Sequence, residues 1–559
     1  MPSIHEIFAR LSNFTAKYPV LVVATFLTLV GNMAFWKALF VYQAPDNPGS
    51  LLFWCSAMLL VFTLGYLVIS FFRFKYIFRP ALVVILVLSA ITAYYMDAYG
   101  IVIDVQMMHN IAETDRNEVY DLLGSGLFFY LLLLAIIPAL FLLRVNIQYR
   151  RFGRQLQANG MAIVISLLLV VANFMMFSAD YAALFKNHHH VRYLINPSNY
   201  VYSSIKYISE SLGQQQHDIV AIGLDAHQVR PVSATDKKTI LVLVVGETAR
   251  ADNFALNGYQ RNTNPLLSKE DIINYPHVSS CGTSTHVSLP CMFSHFQQKD
   301  FSESKAAYYE MLPDVLRHAG VEVVWRDNNS GCKGVCKNIP TEDVSHYHLE
   351  GICNDRECYD EVLLDQLKEK IETAQNDMVI VLHQKGSHGP AYYLRTPEKL
   401  KAFLPECTTN ELQKCSQQEL VNAYDNTIYY TDYFLSRVVE TLKQQQHDTA
   451  MVYISDHGES LGENHLYLHS MPYMFAPEQQ THVPLVTWYS NSFLRNHHLD
   501  KACLKDHAED SYSHDNLFHS VLGLMRVSTS IYHSELDMFK PCTEDSAMVE
   551  NPSSRLQHG

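Results

Sequence analysis

The stretch TAMVYISDHGES, Thr449–Ser460, decides how the chain is read. Its continuous apolar run is short and has no polar face, so it reads as a strand buried on both sides, the signature of a parallel sheet. It ends in Asp456 and His457, and Gly458 then lets the backbone turn. TILVLVVGE (239–247), VEVVWRDN (321–328) and DMVIVLHQ (377–384) repeat the pattern. Between them, DQLKEKIETA (365–374) and NTIYYTDYFLSRVVETLKQQQ (426–446) have helical spacing. Alternating strands and helices predict an α/β sandwich over residues 238–559. In open α/β sheets, ligands gather outside the carboxyl ends of the strands. Each predicted end is polar: Glu247, then Asp327 with Asn328 and Asn329, His383 leading to His388, and Asp456 with His457.

Carboxylate oxygens and imidazole nitrogens suit a hard or borderline divalent cation. Glu247, Asp456 and His457 offer that set. One strand-end acid alone is more often a helix cap or a loop solvator, but three such ends on one sheet edge favour a metal. GSHGP contributes His388 and LYLHSMP contributes His469. Singly they read as structural histidines; together they offer ligands for a second metal or a phosphate oxygen. SCGTSTHVSLPC (280–291) places Thr283, Ser284, Thr285 and Ser288 where a helix is expected to start. Such hydroxyls usually cap the helix. Helix N-termini also favour anions, and a neighbouring metal makes a hydroxyl a usable nucleophile. These residues point to metal-assisted phosphoryl or sulfuryl transfer through one of the hydroxyls. No C/S-x-P-x-R maturation signature of a sulfatase follows Cys281 or Cys291.

The chain upstream has a different character. Of the 559 residues, 48% are apolar and 18% charged, but the first third is far more apolar than the rest. Five apolar runs, 20–41, 51–72, 80–96, 126–143 and 161–178, are near the length of a bilayer span. The first is too long for a cleaved signal peptide and lacks a small-residue cleavage site. Arg73, Lys75 and Arg79 follow the second run, and Arg144, Arg150, Arg151 and Arg154 follow the fourth, whereas the other loops are neutral or acidic. The positive-inside bias puts the basic loops in the cytoplasm and everything after residue 180 outside. The net charge of −14 and the lack of a basic stripe exclude a nucleic-acid partner.

Cysteine usage agrees with an oxidising compartment. Ten of the eleven cysteines follow residue 280, whereas Cys55 lies in an apolar run. They fall as neighbours, Cys281/Cys291, Cys332/Cys336, Cys353/Cys358, Cys407/Cys415 and Cys503/Cys542, and nearest-neighbour disulfides are expected. A zinc clip at CKGVC lacks two further ligands. Between the two regions, residues 181–237 form a connector. HHH at 188–190 reads as a solvated linker, and NPSNYVYSSIKYISESL (196–212) as a capped amphipathic helix that either lies on the bilayer or packs on protein.

GETARADNFALNGYQRNTNP, SCGTSTHVSLPCMFS, RDNNSGCKGVC, GSHGPAYY and YISDHGESLGENHLYLH resemble the lipid A phosphoethanolamine transferases. That family includes the mobile colistin-resistance enzymes and belongs to the alkaline-phosphatase/sulfatase superfamily. The resemblance covers nearly the whole chain. It implies a five-helix transmembrane domain (1–180) in the bacterial inner membrane and an α/β/α sandwich catalytic domain (238–559) in the periplasm, working as a monomer. It implies one zinc ion held by Glu247, Thr285, Asp456 and His457, with Thr285 as the nucleophile. His388 and His469 would bind phosphate or a second zinc, and Asn329, Ser330 and Lys333 the donor phosphate. Asn110, Thr114 and Glu118, four apart and so on one helix face, would line the donor surface. The implied reaction moves phosphoethanolamine from phosphatidylethanolamine to lipid A. His286 departs from the family pattern beside the nucleophile. Two alternatives keep parts of this picture. A membrane-anchored phosphodiesterase, or a headgroup transferase for another glycan, would share the site. A membrane sensor would have lost a ligand or the nucleophile, yet all are present.

Overall fold

The computed structural model describes residues 4–43, 45, 48–114, 116–214, 219–229 and 237–543. Residues 215–218 and 230–236 of the expected connector lie outside the described residues. The chain forms two compact units. The first comprises Met1–Glu113, Val119–Gly213 and Gly462–Phe475; the second comprises Thr114–Glu118, Gln214–Leu461 and Ala476–Gly559.

In the first unit, the helices Gly49–Phe71, Phe78–Tyr99, Ser125–Arg144 and Phe152–Met176 are each long and apolar enough to cross a membrane. The earliest apolar run is two helices, Pro19–Leu29 and Met33–Tyr42, bent by 50°, so a count of five requires taking that pair as one span. Hydropathy runs through the break, which only Gly31 and Asn32 mark in the sequence. The backbone freed there is satisfied locally, as an apolar medium demands. Asn32 Nδ2 donates to the Leu27 carbonyl at 2.8 Å and to the Asn196 carbonyl at 3.0 Å, and Trp36 Nε1 donates to the Thr28 carbonyl at 2.7 Å. Helix Phe152–Met176 leaves Leu167, Leu168, Met175 and Met176 exposed, a surface suited to lipid rather than water. The three-histidine stretch is not a solvated linker. His189–Leu194 is a 3-10 turn, and the His188 ring stacks on Tyr42 at 3.6 Å. Helix Ser198–Gln214 turns Tyr200 inward and exposes Tyr202, Ile205, Ile208 and Leu212 in one stripe.

The second unit is built on a seven-stranded sheet. In chain order its strands are β1 (Thr239–Gly246), β2 (Ile273–Tyr275), β3 (Glu322–Asp327), β4 (Thr341–Asp343), β5 (Met378–His383), β6 (Asp448–Ser455) and β7 (Leu485–Tyr489). Their spatial order is β2-β7-β6-β1-β5-β3-β4. β6, β1, β5, β3 and β4 run parallel, while β7 is antiparallel to both β6 and β2. β1, β5 and β6 are buried along their whole length, which explains their unbroken apolar sequences. Leu241, Leu243 and Val245 share a core with Leu289, Met292, Leu316, Phe518 and Val521 from helices on one face. Helix Gln417–Lys443, started by a reciprocal Ser416–Glu419 capping box, packs on β6 from the other side. Disulfides join Cys281 to Cys291, Cys332 to Cys336, Cys353 to Cys358, Cys407 to Cys415 and Cys503 to Cys542. The two sulfurs of CKGVC therefore bond each other and are not zinc ligands.

Leu243 is fully buried at the centre of this core. Leu243→Ala is expected to destabilise the chain by about 2–5 kcal/mol, read as a lower denaturant midpoint of the detergent-solubilised protein.

Candidate active site

Strand register assembles the site from distant pieces of sequence. β1 lies between β5 and β6, with Val245 opposite His383 and Gly246 opposite Ser455. β3 sets Asp327 opposite His383. The residues that follow each strand therefore emerge together at one sheet edge. Glu247, Asp456 and His457 are buried there, with their ligand atoms within 4.8 Å of one another. His457 Nε2 lies 3.5 Å from Glu247 Oε1 and 3.4 Å from Asp456 Oδ2. Its Nδ1 faces the Gly458 carbonyl at 2.8 Å, which can only accept, so Nε2 is left to bind a cation.

Thr285 opens helix Thr285–Met292. Its Oγ1 donates to Glu247 Oε2 at 3.0 Å and stands 3.4 Å from His457 Nε2. The N-cap Ser284 makes no side-chain capping bond, so capping does not account for its hydroxyl. The loop before the helix folds tightly onto it. A Cβ on Gly282 would lie 2.8 Å from Val287 Cβ and 2.9 Å from Ser288 Oγ. The Cys281–Cys291 bond spans the same turn, and His286 is half-buried beside Thr285.

The donor set fits a divalent cation. Asp456 Oδ1 accepts from the Thr248 and His457 amides at 3.1 and 2.7 Å, whereas the buried Oδ2 receives no hydrogen bond. Burial first, and then the Glu247 charge, push Asp456 up to about 6. Two buried carboxylates and a correctly turned imidazole are what zinc takes.

A second layer steadies these groups. Asn329 Nδ2 donates to Glu247 Oε2 at 2.7 Å and to the Gln384 carbonyl at 2.9 Å. Asp327 Oδ2 pairs with His383 Nδ1 at 3.0 Å and accepts from Trp325 Nε1 at 2.8 Å. Burial works against ionising Asp327, but the His383 charge and hydrogen bond outweigh it and lower its pKa to about 2. Burial likewise opposes a charged His383, and Asp327, with help from Glu247 and Asp456, raises its pKa. Lys333 Nζ donates to the Ser330 carbonyl and Oγ at 3.0 and 3.1 Å. Glu118 Oε1 lies 3.8 Å from both His388 Nε2 and Lys385 Nζ.

The expected face of Asn110, Thr114 and Glu118 is not one helix. The helices are Val105–Glu113 and Arg116–Leu122, with Thr114 between them. Threonine competes for backbone hydrogen bonds and breaks a helix more readily than spacing alone suggests. Thr114 and Glu118 belong to the second unit, Asn110 and His469 to the first, where Asn110 Nδ2 donates to Ser470 Oγ at 2.9 Å. Sequence reasoning missed Asp360 and Lys385. Buried Asp360 accepts from Asn328 Nδ2 and from the Lys385 and Gly386 amides at 2.8, 2.7 and 3.0 Å, fixing the turn that carries His388. No motif marks Asp360, whereas Lys385 lay unused between His383 and His388.

The family model described as Sulfatase matches residues 239–527, and the one described as Phosphoethanolamine transferase EptA/EptB matches residues 61–212. The chain is 39% identical to phosphoethanolamine transferase EptA of Salmonella typhimurium over 94% of its length and 96% of that protein's. It is 39% identical to phosphatidylethanolamine transferase Mcr-1 of Escherichia coli, covering 83% of this chain and 88% of the relative. The integral membrane lipooligosaccharide phosphoethanolamine transferase A of Neisseria meningitidis superposes with a TM-score of 0.90 at 36% identity, covering 94% of this chain and 98% of that one.

Asp360→Asn turns an acceptor into a donor facing amide N–H groups. A loss of about 1–3 kcal/mol is expected in thermal or denaturant unfolding. The Asp327–His383 pair predicts a pH window. A depressed Asp327 stabilises above its ordinary pKa near ~4 and loses that effect as pH falls toward about 2. A raised His383 stabilises below ~6.5 and loses the effect as pH climbs through its folded value. The stability gap between wild type and Asp327→Asn should therefore peak between roughly pH 4 and 6.5 and shrink on both sides.

Proposed function

Because this chain belongs to the phosphoethanolamine transferase family, we propose that it moves phosphoethanolamine from phosphatidylethanolamine to a phosphate of lipid A through a covalent Thr285 intermediate. The observation that carries this reading is Thr285 Oγ1, hydrogen-bonded to Glu247 Oε2 beside Asp456 and His457. The site lies at the outer face of the bacterial inner membrane, in the periplasm, a placement supported by the basic inner loops and the five disulfides.

Glu247, Asp456, His457 and Thr285 would hold a zinc ion, which supplies positive charge that favours the ionised threonine oxygen. In the first step a lone pair of Oγ1 attacks the donor phosphorus. The bond from phosphorus to the glyceryl oxygen breaks, and the proton lost by Thr285 ends on departing diacylglycerol. Ser330 and Lys333 offer hydroxyl and ammonium donors to the phosphoryl oxygens and His388 offers an imidazole, while Asn329, whose amide hydrogens go to Glu247 and the Gln384 carbonyl, holds Glu247 beside them. Fixed donors of this kind matter because they need not reorganise as charge develops. In the second step a lipid A phosphate displaces Thr285. The added ammonium lowers the negative charge of the outer surface and weakens its attraction for cationic peptides such as polymyxin.

Intact mass of the purified chain mixed with phosphatidylethanolamine should show a phosphoethanolamine adduct, absent from Thr285→Ala, with turnover reduced by ~10³-fold or more. Adduct on the Thr285→Ala chain would refute the nucleophile, and rapid loss of adduct to water without lipid A would refute the transferase. Asp456→Asn should carry less zinc by elemental analysis and be slowed by at least the ~10–100-fold typical of damaged metal sites.

A further inference from the structure

His514 is buried and is not one of the groups that would hold the cation. Its ring stands between two backbone groups. The Cys281 amide donates to Nδ1 at 3.1 Å, and Nε2 faces the Ser455 carbonyl at 2.9 Å. An amide N–H only donates and a carbonyl only accepts. Both neighbours therefore demand one form of the ring, the neutral imidazole with its proton on Nε2. Burial favours that form, pushing the pKa of His514 down to about 4. The two partners are 233 and 59 residues away along the chain. They belong to the two pieces of backbone that must meet for Thr285 to face its ligands.

Cys281 lies four residues before Thr285, in the loop that turns into helix Thr285–Met292. Its peptide is held on both sides, because its carbonyl accepts from Gln298 Nε2 at 3.0 Å. Ser455 is the last residue of β6. Its carbonyl shares a peptide group with the Asp456 amide, and that amide donates to the Gly246 carbonyl at 2.9 Å. The Gly246 carbonyl in turn shares a peptide group with the Glu247 amide. One line of bonds thus runs from the nucleophile loop through His514 to the peptide before Asp456, and on to the peptide before Glu247. His514 is itself anchored at the start of helix Asp515–Leu524. Its amide donates to the Ser279 carbonyl at 3.0 Å, and Asp515 Oδ1 accepts from the Gln298 amide at 2.8 Å.

We propose that His514 is a positioning residue for the transfer: by tying the nucleophile loop to the end of β6, it sets where the Thr285 hydroxyl stands against the two carboxylates. It touches no reacting atom. The assignment rests on the transferase reading above. An attacking oxygen displaced by about 1 Å loses its alignment with phosphorus, and a misplacement of that size costs on the order of 10²-fold in rate.

The first half-reaction isolates this role. Full-length enzyme in mixed micelles is given phosphatidylethanolamine over a range of concentrations, and the Thr285 adduct is followed by intact mass. His514→Phe keeps a ring and removes both bonds. Its maximal rate of adduct formation per folded molecule should fall by ~10–100-fold. Its half-saturating donor concentration, and its zinc content by elemental analysis, should stay within about twofold of wild type. Leu243→Ala, weakened in the core, should form adduct at the wild-type rate per folded molecule. His514→Asn keeps an acceptor near the place of Nδ1, and His514→Gln keeps a donor toward Ser455. Each carries half of the bridge and should also be slow, so these two decide the matter where His514→Phe does not fold. A wild-type rate in any folded His514 variant, or equal slowing of Leu243→Ala, would overturn the proposal. A defect confined to donor saturation would place His514 in donor binding, and failure of all three variants to fold would leave it a purely structural role; either overturns it too. A wild-type enzyme that forms no adduct would instead remove the transferase reading, and the proposal with it.

Discussion

Two carboxylates buried side by side are the constraint around which the second unit is arranged. Glu247 and Asp456 follow adjacent parallel strands whose register ends them together. Their ligand oxygens lie within 4.8 Å of each other, among buried residues. At an effective dielectric near 20, two unit charges at that range repel by roughly 3–4 kcal/mol, before either is charged for leaving water. That is a large fraction of a domain's whole stability. A fold tolerates such a pair when cationic partners and hydrogen-bond donors converge on it, and here they do. Asn329 and Thr285 each donate to Glu247, two backbone amides donate to Asp456, and both carboxylates, together with Asp327, raise the pKa of nearby His383 against the cost of its burial. Of the four carboxylate oxygens of Glu247 and Asp456, Asp456 Oδ2 alone receives no hydrogen bond.

The surrounding loops are held by groups outside the ligand set. Asp360 grips the Lys385 and Gly386 amides, and the Ser387 amide donates to the Glu247 carbonyl at 2.9 Å. Gly386 has a φ of +53°, and a Cβ there would lie 2.6 Å from the Glu247 carbonyl oxygen, so the turn passes too close for any side chain. Helix Gln417–Lys443 reaches the same region through Tyr424, whose hydroxyl donates to the Thr248 carbonyl at 2.8 Å, and through Thr427, which donates to Ser387 Oγ at 2.7 Å. The strand-end loops are thus fixed from both the sheet and the covering helix. Fixed dipoles at a reacting centre lower a barrier because they need not turn during the reaction.

Much of this was legible in the sequence because the parallel strands are buried on both faces. Unbroken apolar runs locate β1, β5 and β6 directly, and a run's last residues locate the polar edge, so Glu247, Asp456 and His457 could be named before any coordinate was known. Thr285 could not be chosen from Thr283 or Ser284 by spacing. What singles it out is a contact across 38 residues, and chain order carries no record of which hydroxyl faces inward. Asp360 was invisible for the same reason: its partners, the Asn328 side chain and the Lys385 and Gly386 amides, lie 25 to 32 residues away along the chain. In the first unit, hydropathy gave length and could not show that Pro19–Leu29 and Met33–Tyr42 meet at 50°. The single face expected of Asn110, Thr114 and Glu118 failed because periodicity assumes a continuous helix, and this one ends at Glu113, before Thr114.

A covalent intermediate changes what such a site has to recognise. If donor and acceptor had to react directly, two lipids and their acyl chains would need to fit around one phosphorus at once. On the proposed route phosphoethanolamine would rest on Thr285, so diacylglycerol could leave first and only a small polar group would remain. The next partner then has to present an oxygen to that phosphorus and little more.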